Sequence, residues 1–239
     1  MIGKTVIVTG SSKGIGLEIA KLLINEGYFV VGISRSNSVC FEKLDKENKL
    51  FVQFDLSNTK DIPILVAKIA RRVPYPIYGL VNNAGIGLQG TLMTQHASDI
   101  SKILEINLEA PITMSKYVGR QMLRQKEGRI INVSSIIAST GFNGLSVYAA
   151  SKAGLEGFSR SLSRELGKVN ITVNCVAPGY MKTDMTGGIS KAKLDSITRR
   201  APLGLPDPLH AAHAVRFLLE PSSSKTTGTI ITVDGGSTA

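Results

Sequence analysis

Residues 4–16 read Lys4-Thr5-Val6-Ile7-Val8-Thr9-Gly10-Ser11-Ser12-Lys13-Gly14-Ile15-Gly16, a short apolar run closed by a glycine-rich turn. Leu17 to Ile24 follows with amphipathic helical spacing, so the stretch spells a strand, a tight turn and a helix in direct succession. Glycines at such a turn let the backbone approach a pyrophosphate and let the helix pack closely on the strand. The first N–H groups of the helix, with its partial positive charge, then face the anion. The spacing Gly10-x3-Gly14-x-Gly16 is not the GxGxxG of the general dinucleotide fingerprint. Its weight comes from its place between a first strand and a helix. Gly10, Ser12, Lys13, Gly14, Ile15 and Gly16 are the candidate phosphate-binding residues.

Working outward, six more strand-like runs alternate with helical patterns: 28–33, 50–54, 77–82, 129–134, 171–176 and 229–233, with helices near 15–26, 60–72, 98–125, 148–167, 188–199 and 208–220. The runs are rich in Val and Ile without strict alternation, as strands buried on both faces require. The expectation is an α/β fold: a doubly wound, seven-stranded parallel sheet with helices on both faces. No linker or repeat divides residues 1–239, which predicts a single domain. One crossover is thin, with room between Arg35 and Leu50 only for a short helix, Phe41 to Glu47.

Composition narrows the function classes. Of 239 residues, 43% are hydrophobic and 19% charged, which excludes a disordered chain. Charged residues interrupt every apolar run well short of 18 residues, so no membrane-spanning helix is expected, and Thr5–Val8 is too short for a signal peptide core. Cys40 and Cys175 form neither a disulfide framework nor a metal-ligand spacing, and His96, His210 and His213 complete no metal set. The expectation is a metal-free cytoplasmic protein, or one of an organelle lumen had a targeting segment been removed. The net charge of +10 favours acidic partners. No nucleic-acid module is present, and nucleic acid is not expected as a partner.

The chemistry-bearing residues fall at strand tips. Strand two ends Ser34-Arg35 with no Asp or Glu, where an acid would bind a ribose 2′-hydroxyl and an arginine a 2′-phosphate. Lys13 is a second cation for that phosphate, so NADP(H) is favoured over NAD(H). Asp55, beside Leu56 at the tip of strand three, is placed to accept from an adenine amino group or to cap the next helix. Asn82-Asn83-Ala84-Gly85 follows strand four and turns amides and flexible backbone toward the central crevice. Tyr148 and Lys152, at i and i+4, share one helix face. A nearby ammonium is expected to pull the phenol's pKa toward the range that acid–base catalysis needs. Ser135, at the end of strand five, can donate to a carbonyl oxygen. Residues 183–193 form a glycine-containing loop that is as well suited to a lid as to plain surface.

With Thr9-Gly10-x3-Gly14-x-Gly16, Asn82-Asn83-Ala84-Gly85, Asn107, Ser135, Tyr148, Lys152 and Pro178-Gly179, the chain resembles the short-chain dehydrogenases/reductases over essentially its full length. The resemblance implies a Rossmann-type sheet and hydride transfer between nicotinamide and a carbonyl or alcohol. It makes Tyr148 the acid–base, Ser135 the group that orients the substrate oxygen, and Lys152 the ligand of the nicotinamide ribose. Asn107 would hold a water leading from Lys152 to solvent. Thr183, past the Pro178-Gly179 turn, would bond the nicotinamide carboxamide. Within the family, Arg129-Ile130-Ile131-Asn132-Val133, Val176–Met185, Ala201–Gly204 and Val233–Gly236 look most like the 3-oxoacyl-(acyl-carrier-protein) reductases. That implies an acyl-carrier protein or a CoA-linked acyl substrate as partner. Arg129 stands at a position used for docking the carrier; at the second such position stands Val169, with Lys168 beside it. Helices 98–125 and 148–167 resemble those through which family members assemble, a tetramer more readily than a dimer. Other carbonyl substrates (another thioester, a quinone, a sugar, a steroid) and a silent NADP(H) sensor are the alternatives, and the complete set of catalytic residues weighs against the sensor.

Overall fold

In a computed structural model of the chain, residues 3–36, 38–181 and 191–239 are described. Seven parallel strands, β1 (Thr5–Thr9), β2 (Phe29–Ser34), β3 (Lys49–Gln53), β4 (Ile77–Asn82), β5 (Gly128–Val133), β6 (Ile171–Pro178) and β7 (Ile230–Val233), pair in the order β3-β2-β1-β4-β5-β6-β7. The doubly wound sheet expected from the sequence is present. The order reverses between β1 and β4, whose register pairs Ile7 with Leu80 and Val8 with Val81. A crevice therefore opens above the carboxyl ends of these two strands, where such sheets bind ligands.

Helices cover both faces. On one, α1 (Gly14–Asn25) packs with α9 (Pro208–Leu219), burying Ile19, Leu23, Val215 and Leu218 against Val6, Val8 and Val30. On the other, α3 (Ile62–Arg72), α5 (Ala110–Gln125) and α7 (Ser146–Leu166) cover Ile7, Val31, Leu80, Ile130 and Val173. The central strands have no solvent-facing side, which is why their sequences run apolar without alternation. Among the described residues no helix is long and apolar enough to cross a membrane.

Three boundaries differ from expectation. The thin crossover holds α2 at Val39–Glu42 rather than at 41–47. Ser38 Oγ accepts from Phe41 N at 3.1 Å and so starts the helix early. Lys49 Nζ ends it by donating to the carbonyls of Phe41 and Glu42, at 2.7 and 2.6 Å, and of Leu44. The stretch 98–125 is not one helix: α4 (Ala97–Leu104) passes through a π-turn at Glu105–Glu109 into α5. A short α6 (Ile137–Thr140), unanticipated, follows β5. The described part of the helix expected at 188–199 is α8 (Lys191–Arg199).

Candidate active site

The glycine loop between β1 and α1 is held from below. Gly10 N donates to Ile33 O at 2.7 Å, and Ser12 N to Ser34 Oγ at 3.2 Å. Asn83 turns its Nδ2 onto the carbonyls of Thr9 and Gly10, at 2.9 and 3.3 Å. Its amide therefore shapes the loop, while Asn83 also lines the crevice as the sequence had suggested. Gly10 and Gly14 have φ of 70° and 56°, in the left-handed region that favours glycine. A Cβ on Gly16 would lie 2.2 Å from Gly10 O and 2.4 Å from Asn83 Nδ2. Only glycine lets α1 come this close, and no side chain caps the helix N-terminus at Lys13. The first N–H groups of α1 thus point into the crevice without a side-chain partner, which is the cradle a pyrophosphate fits.

Above the loop lies a cavity of about 610 Å³, lined by Gly10, Ser12, Lys13, Gly14, Ile15, Ser34, Arg35, Asp55, Leu56, Asn83, Ala84, Gly85, Ser135, Tyr148, Lys152, Pro178 and Gly179. Nearly all the sequence-predicted binding and catalytic residues thus meet in one space. Gly16 is buried behind it, and Thr183 and most of the 183–193 loop lie outside the described residues. Lys13 and Arg35, both exposed, flank the β1 and β2 tips, and among the described residues the only carboxylate lining the cavity is Asp55. Asp55 Oδ1 accepts from Ser57 N at 3.0 Å and Ser57 Oγ at 2.9 Å, and these bonds hold its carboxyl below the usual range. Its Oδ2 accepts nothing among the described residues, so both sequence readings of Asp55, cap and ligand contact, fit the one side chain.

Ser135 sits at the β5 tip, Tyr148 in the first turn of α7, and Lys152 one turn further on. Ser135 stands beside the Tyr148 hydroxyl, whose pKa it lowers as a polar neighbour, and its Oγ accepts from Ile137 N at 3.3 Å. Lys152 is 4% exposed; its Nζ donates to Val133 O at 2.7 Å and lies 5.7 Å from the centre of the Tyr148 ring. Desolvation lowers its pKa to about 8. Tyr148 departs from expectation. Burial of its hydroxyl end raises its pKa, opposed by the neighbouring Ser135, so the phenol stays protonated at neutral pH. The ammonium was expected to lower this pKa; it is instead engaged by Val133 O, and the cost of burying a phenolate outweighs it.

Asn107 lies in the π-turn, fully buried. Its Oδ1 accepts from Ile86 N at 2.8 Å, and its Nδ2 donates to Ile86 O at 2.9 Å and to Ser151 Oγ at 3.2 Å. Both amide hydrogens are used and one lone pair of Oδ1 remains. The side chain ties the Ala84–Ile86 loop to α7, and a Cβ on Gly85 would lie 3.2 Å from its Oδ1 and 3.5 Å from Lys152 Nζ.

Beyond Ser135, Tyr148 and Lys152 the wall turns apolar, with Ile137, Phe142, Leu145, Tyr180, Met181 and Ile197, and just past the end of α8 Arg200 joins it. Arg200 makes no side-chain hydrogen bond or ion pair among the described residues. Leu203, close by in sequence, donates from its N–H to Gly235 O, so this end lies on the β7 side of the sheet, opposite Arg35. Sequence reading missed these residues. They come from loops and helix ends, where no periodicity singles out a lining position.

Arg129 requires a correction. It is 3% exposed; its Nη1 donates to Gly128 O and Asn170 O at 2.9 and 3.4 Å, and its guanidinium lies 5.3 Å from the Tyr78 ring centre. It sits at the start of a strand whose residues are all buried, and cannot present itself to a partner. Lys168 is exposed. Gly128 N donates to Asn170 O at 3.4 Å, which brings the 126–128 and 168–170 turns together, and each turn carries one exposed lysine, Lys126 and Lys168.

Comparison with known proteins agrees with this geometry. A family model described as short chain dehydrogenase matches residues 4–194. A 3-oxoacyl-(acyl-carrier-protein) reductase of Vibrio cholerae is 38% identical over 237 residues, 98% of this chain and 97% of its own. Carbonyl reductase family member 4 of Xenopus tropicalis is 40% identical over 235 residues, again 98% and 97% of the two chains. A crystal structure of a dehydrogenase/reductase from Sinorhizobium meliloti superimposes with a TM-score of 0.90 at 30% identity, covering 100% of this chain and 96% of that one.

Proposed function

The chain belongs to the short-chain dehydrogenase family, an oxidoreductase acting on carbonyl or alcohol groups with a nicotinamide cofactor, and on that premise we propose that it reduces 3-oxoacyl thioesters with NADPH, the acyl group being borne by acyl-carrier protein. The observation that carries this reading is the cavity that holds Ser135, Tyr148 and Lys152 together, with Lys13 and Arg35 at the β1 and β2 tips and an apolar wall ending at Arg200.

The residues fit the cofactor. The α1 N-terminus and glycine loop would take the pyrophosphate, Arg35 and Lys13 the 2′-phosphate, Asp55 and Leu56 the adenine, and Lys152 the nicotinamide ribose. The bound reduced nicotinamide supplies a hydride to the carbonyl carbon. Ser135 donates a hydrogen bond to the carbonyl oxygen, which gains negative charge as the ketone is reduced. Tyr148, kept protonated by burial, gives that oxygen its proton. Lys152, with a pKa near 8, follows it as the source that restores the phenol. The remaining lone pair of Asn107 Oδ1 is where a water leading from Lys152 would donate.

Substrate class rests on charge and shape. The apolar wall suits an acyl chain, and Arg200 suits the phosphate that CoA and carrier-bound pantetheine share. The exposed cations Arg124, Lys126, Arg164 and Lys168, at the ends of α5 and α7, suit an acidic carrier. The exposed apolar residues Leu104 and Ile112, on α4 and α5, suit a homotetramer. The second reading, reduction of a small carbonyl free of any carrier, is favoured by the 40% identity to proteins named carbonyl reductase. The test is steady-state NADPH oxidation with acetoacetyl-carrier protein, acetoacetyl-CoA and an uncharged diketone, each repeated with NADH. The proposal expects turnover on the thioesters, higher kcat/KM on the carrier, and a clear preference for NADPH. Turnover on the diketone alone would install the second reading.

A further inference from the structure

Behind the catalytic residues lies a contact for which hydride transfer has no direct use. Ser134 and Glu156 are 3% and 9% exposed, and Ser134 Oγ donates to Glu156 Oε1 at 2.7 Å while lying 3.5 Å from the main-chain carbonyl of Lys152. Ser134 N donates to Val176 O at 2.7 Å, fixing this residue to β6 as well. One residue earlier, Val133 O receives Lys152 Nζ; one residue later stands Ser135, beside the Tyr148 hydroxyl. Three consecutive residues of the β5 tip therefore meet α7 between Tyr148 and Glu156.

A carboxylate is costly in such a place. Burying a polar group without a partner is unfavourable, and burying a charge more so. Among the described residues the ion-pair partner of Glu156 is Arg160, 4.0 Å from its Oε2 and more than half exposed, a separation and exposure that make a weak pair. Apolar residues commonly replace buried charges at no loss of stability. What a carboxylate adds is a short, directional, charge-assisted bond, about twice as strong as a neutral one, and that bond is aimed at the residue next to Ser135.

We propose that Glu156 is a positioning residue: acting through Ser134, it holds the β5 tip in register with α7 so that the Ser135 hydroxyl stays aligned with Tyr148. The inference rests on Ser135 and Tyr148 being the reacting pair, and not on which carbonyl is reduced. A misplacement of about 1 Å at such a pair costs on the order of a hundredfold in rate.

The test uses Glu156→Ala, Ser134→Ala, their double variant, Glu156→Gln and Arg160→Ala, with two readouts. The first is the 13Cζ resonance of Tyr148 in tyrosine-labelled protein with NADP bound. It is assigned through Tyr148→Phe and referenced to Ser135→Ala. The second is kcat and KM for NADPH-dependent reduction of acetoacetyl-CoA. Both alanine variants should move the Tyr148 resonance in the direction that Ser135→Ala moves it. They should lower kcat by roughly 10- to 100-fold with KM and NADPH affinity within about twofold. The double variant should match the singles, as one shared contact requires. Glu156→Gln, which keeps an acceptor for Ser134, should recover most of the loss, and Arg160→Ala should move neither readout. A Tyr148 resonance that stays in place, additive losses in the double variant, or failure of Glu156→Gln to recover would overturn the proposal. Should wild-type protein not reduce acetoacetyl-CoA, the substrate reading fails while the resonance still decides this one. Should Glu156→Ala not fold, Ser134→Ala and Glu156→Gln decide it.

Discussion

Lys152 carries an ammonium into a site from which water is nearly excluded, and two consequences follow at the scale of the residue. Its pKa falls from 10.5 to about 8, so between those values the folded protein has released a proton that the unfolded chain still holds. Stability contributed by this group therefore rises with pH across that window and is lowest below it. Replacing it by Met should stabilise the cofactor-free protein at pH 7, by up to about 3 kcal/mol from the size of the shift. That gain should shrink as pH climbs from 8 toward 10.5, which chemical denaturation of both proteins across the range would read. A gain that stayed flat with pH would show the lysine not to be desolvated. The Tyr148–Lys152 pairing was legible in the sequence because a four-residue spacing places both on one helix face. Which way the phenol titrates was not legible: it depends on how much of the hydroxyl the β5 tip and neighbouring loops cover. For the same reason the burial of Arg129 was hidden, since an arginine's composition-level prior is the surface, and only strand pairing with Thr172 puts this one inside.

At the scale of elements, the strand–turn–helix at residues 5–25 decides where a dinucleotide can lie, and its glycines are not interchangeable. A helix interior gains up to about 1 kcal/mol when Gly becomes Ala. At Gly16 the added Cβ would instead meet a backbone oxygen at 2.2 Å, so α1 must move off the loop. Overpacking of this kind costs about 1–3 kcal/mol. Gly16→Ala should therefore lower the denaturation midpoint and weaken NADPH binding together; a more stable variant would mean that α1 is not pressed on the loop. The loop itself could be read from spacing alone. The π-turn at 105–109 could not, because the apolar pattern from 98 to 125 continues across it without a break. Nor could the work of Asn83, whose partners Thr9 and Gly10 are more than seventy residues away in sequence.

For the whole molecule, the excess of positive charge has a location. Lys68, Arg71, Arg72, Lys116, Arg120, Arg124, Lys126, Arg164 and Lys168 are exposed on and beside α3, α5 and α7, whereas α1 and α9 mix signs and pair Arg216 with Glu26 and Glu220. Charge at an interface rim mainly steers association and is screened over about 10 Å at 0.1 M salt. Reversing Lys126 and Lys168 to Glu should raise KM for a carrier-linked thioester several-fold at low salt, leave KM for the CoA thioester unchanged, and lose its effect at high salt. Equal effects on both thioesters would place the contribution in the cleft instead. The sequence revealed the +10 but not its address, because helix faces acquire neighbours only when the sheet order is known.

The central claim is that Tyr148 delivers the proton to a carbonyl reduced with NADPH, and it is tested most directly by Tyr148→Phe. NADPH affinity and thioester reduction would be measured side by side. Removing the hydroxyl while keeping the ring should leave NADPH affinity within about twofold and lower kcat by roughly 100- to 10,000-fold, the range of a lost general acid. A variant that binds NADPH and turns over at the wild-type rate would contradict the account.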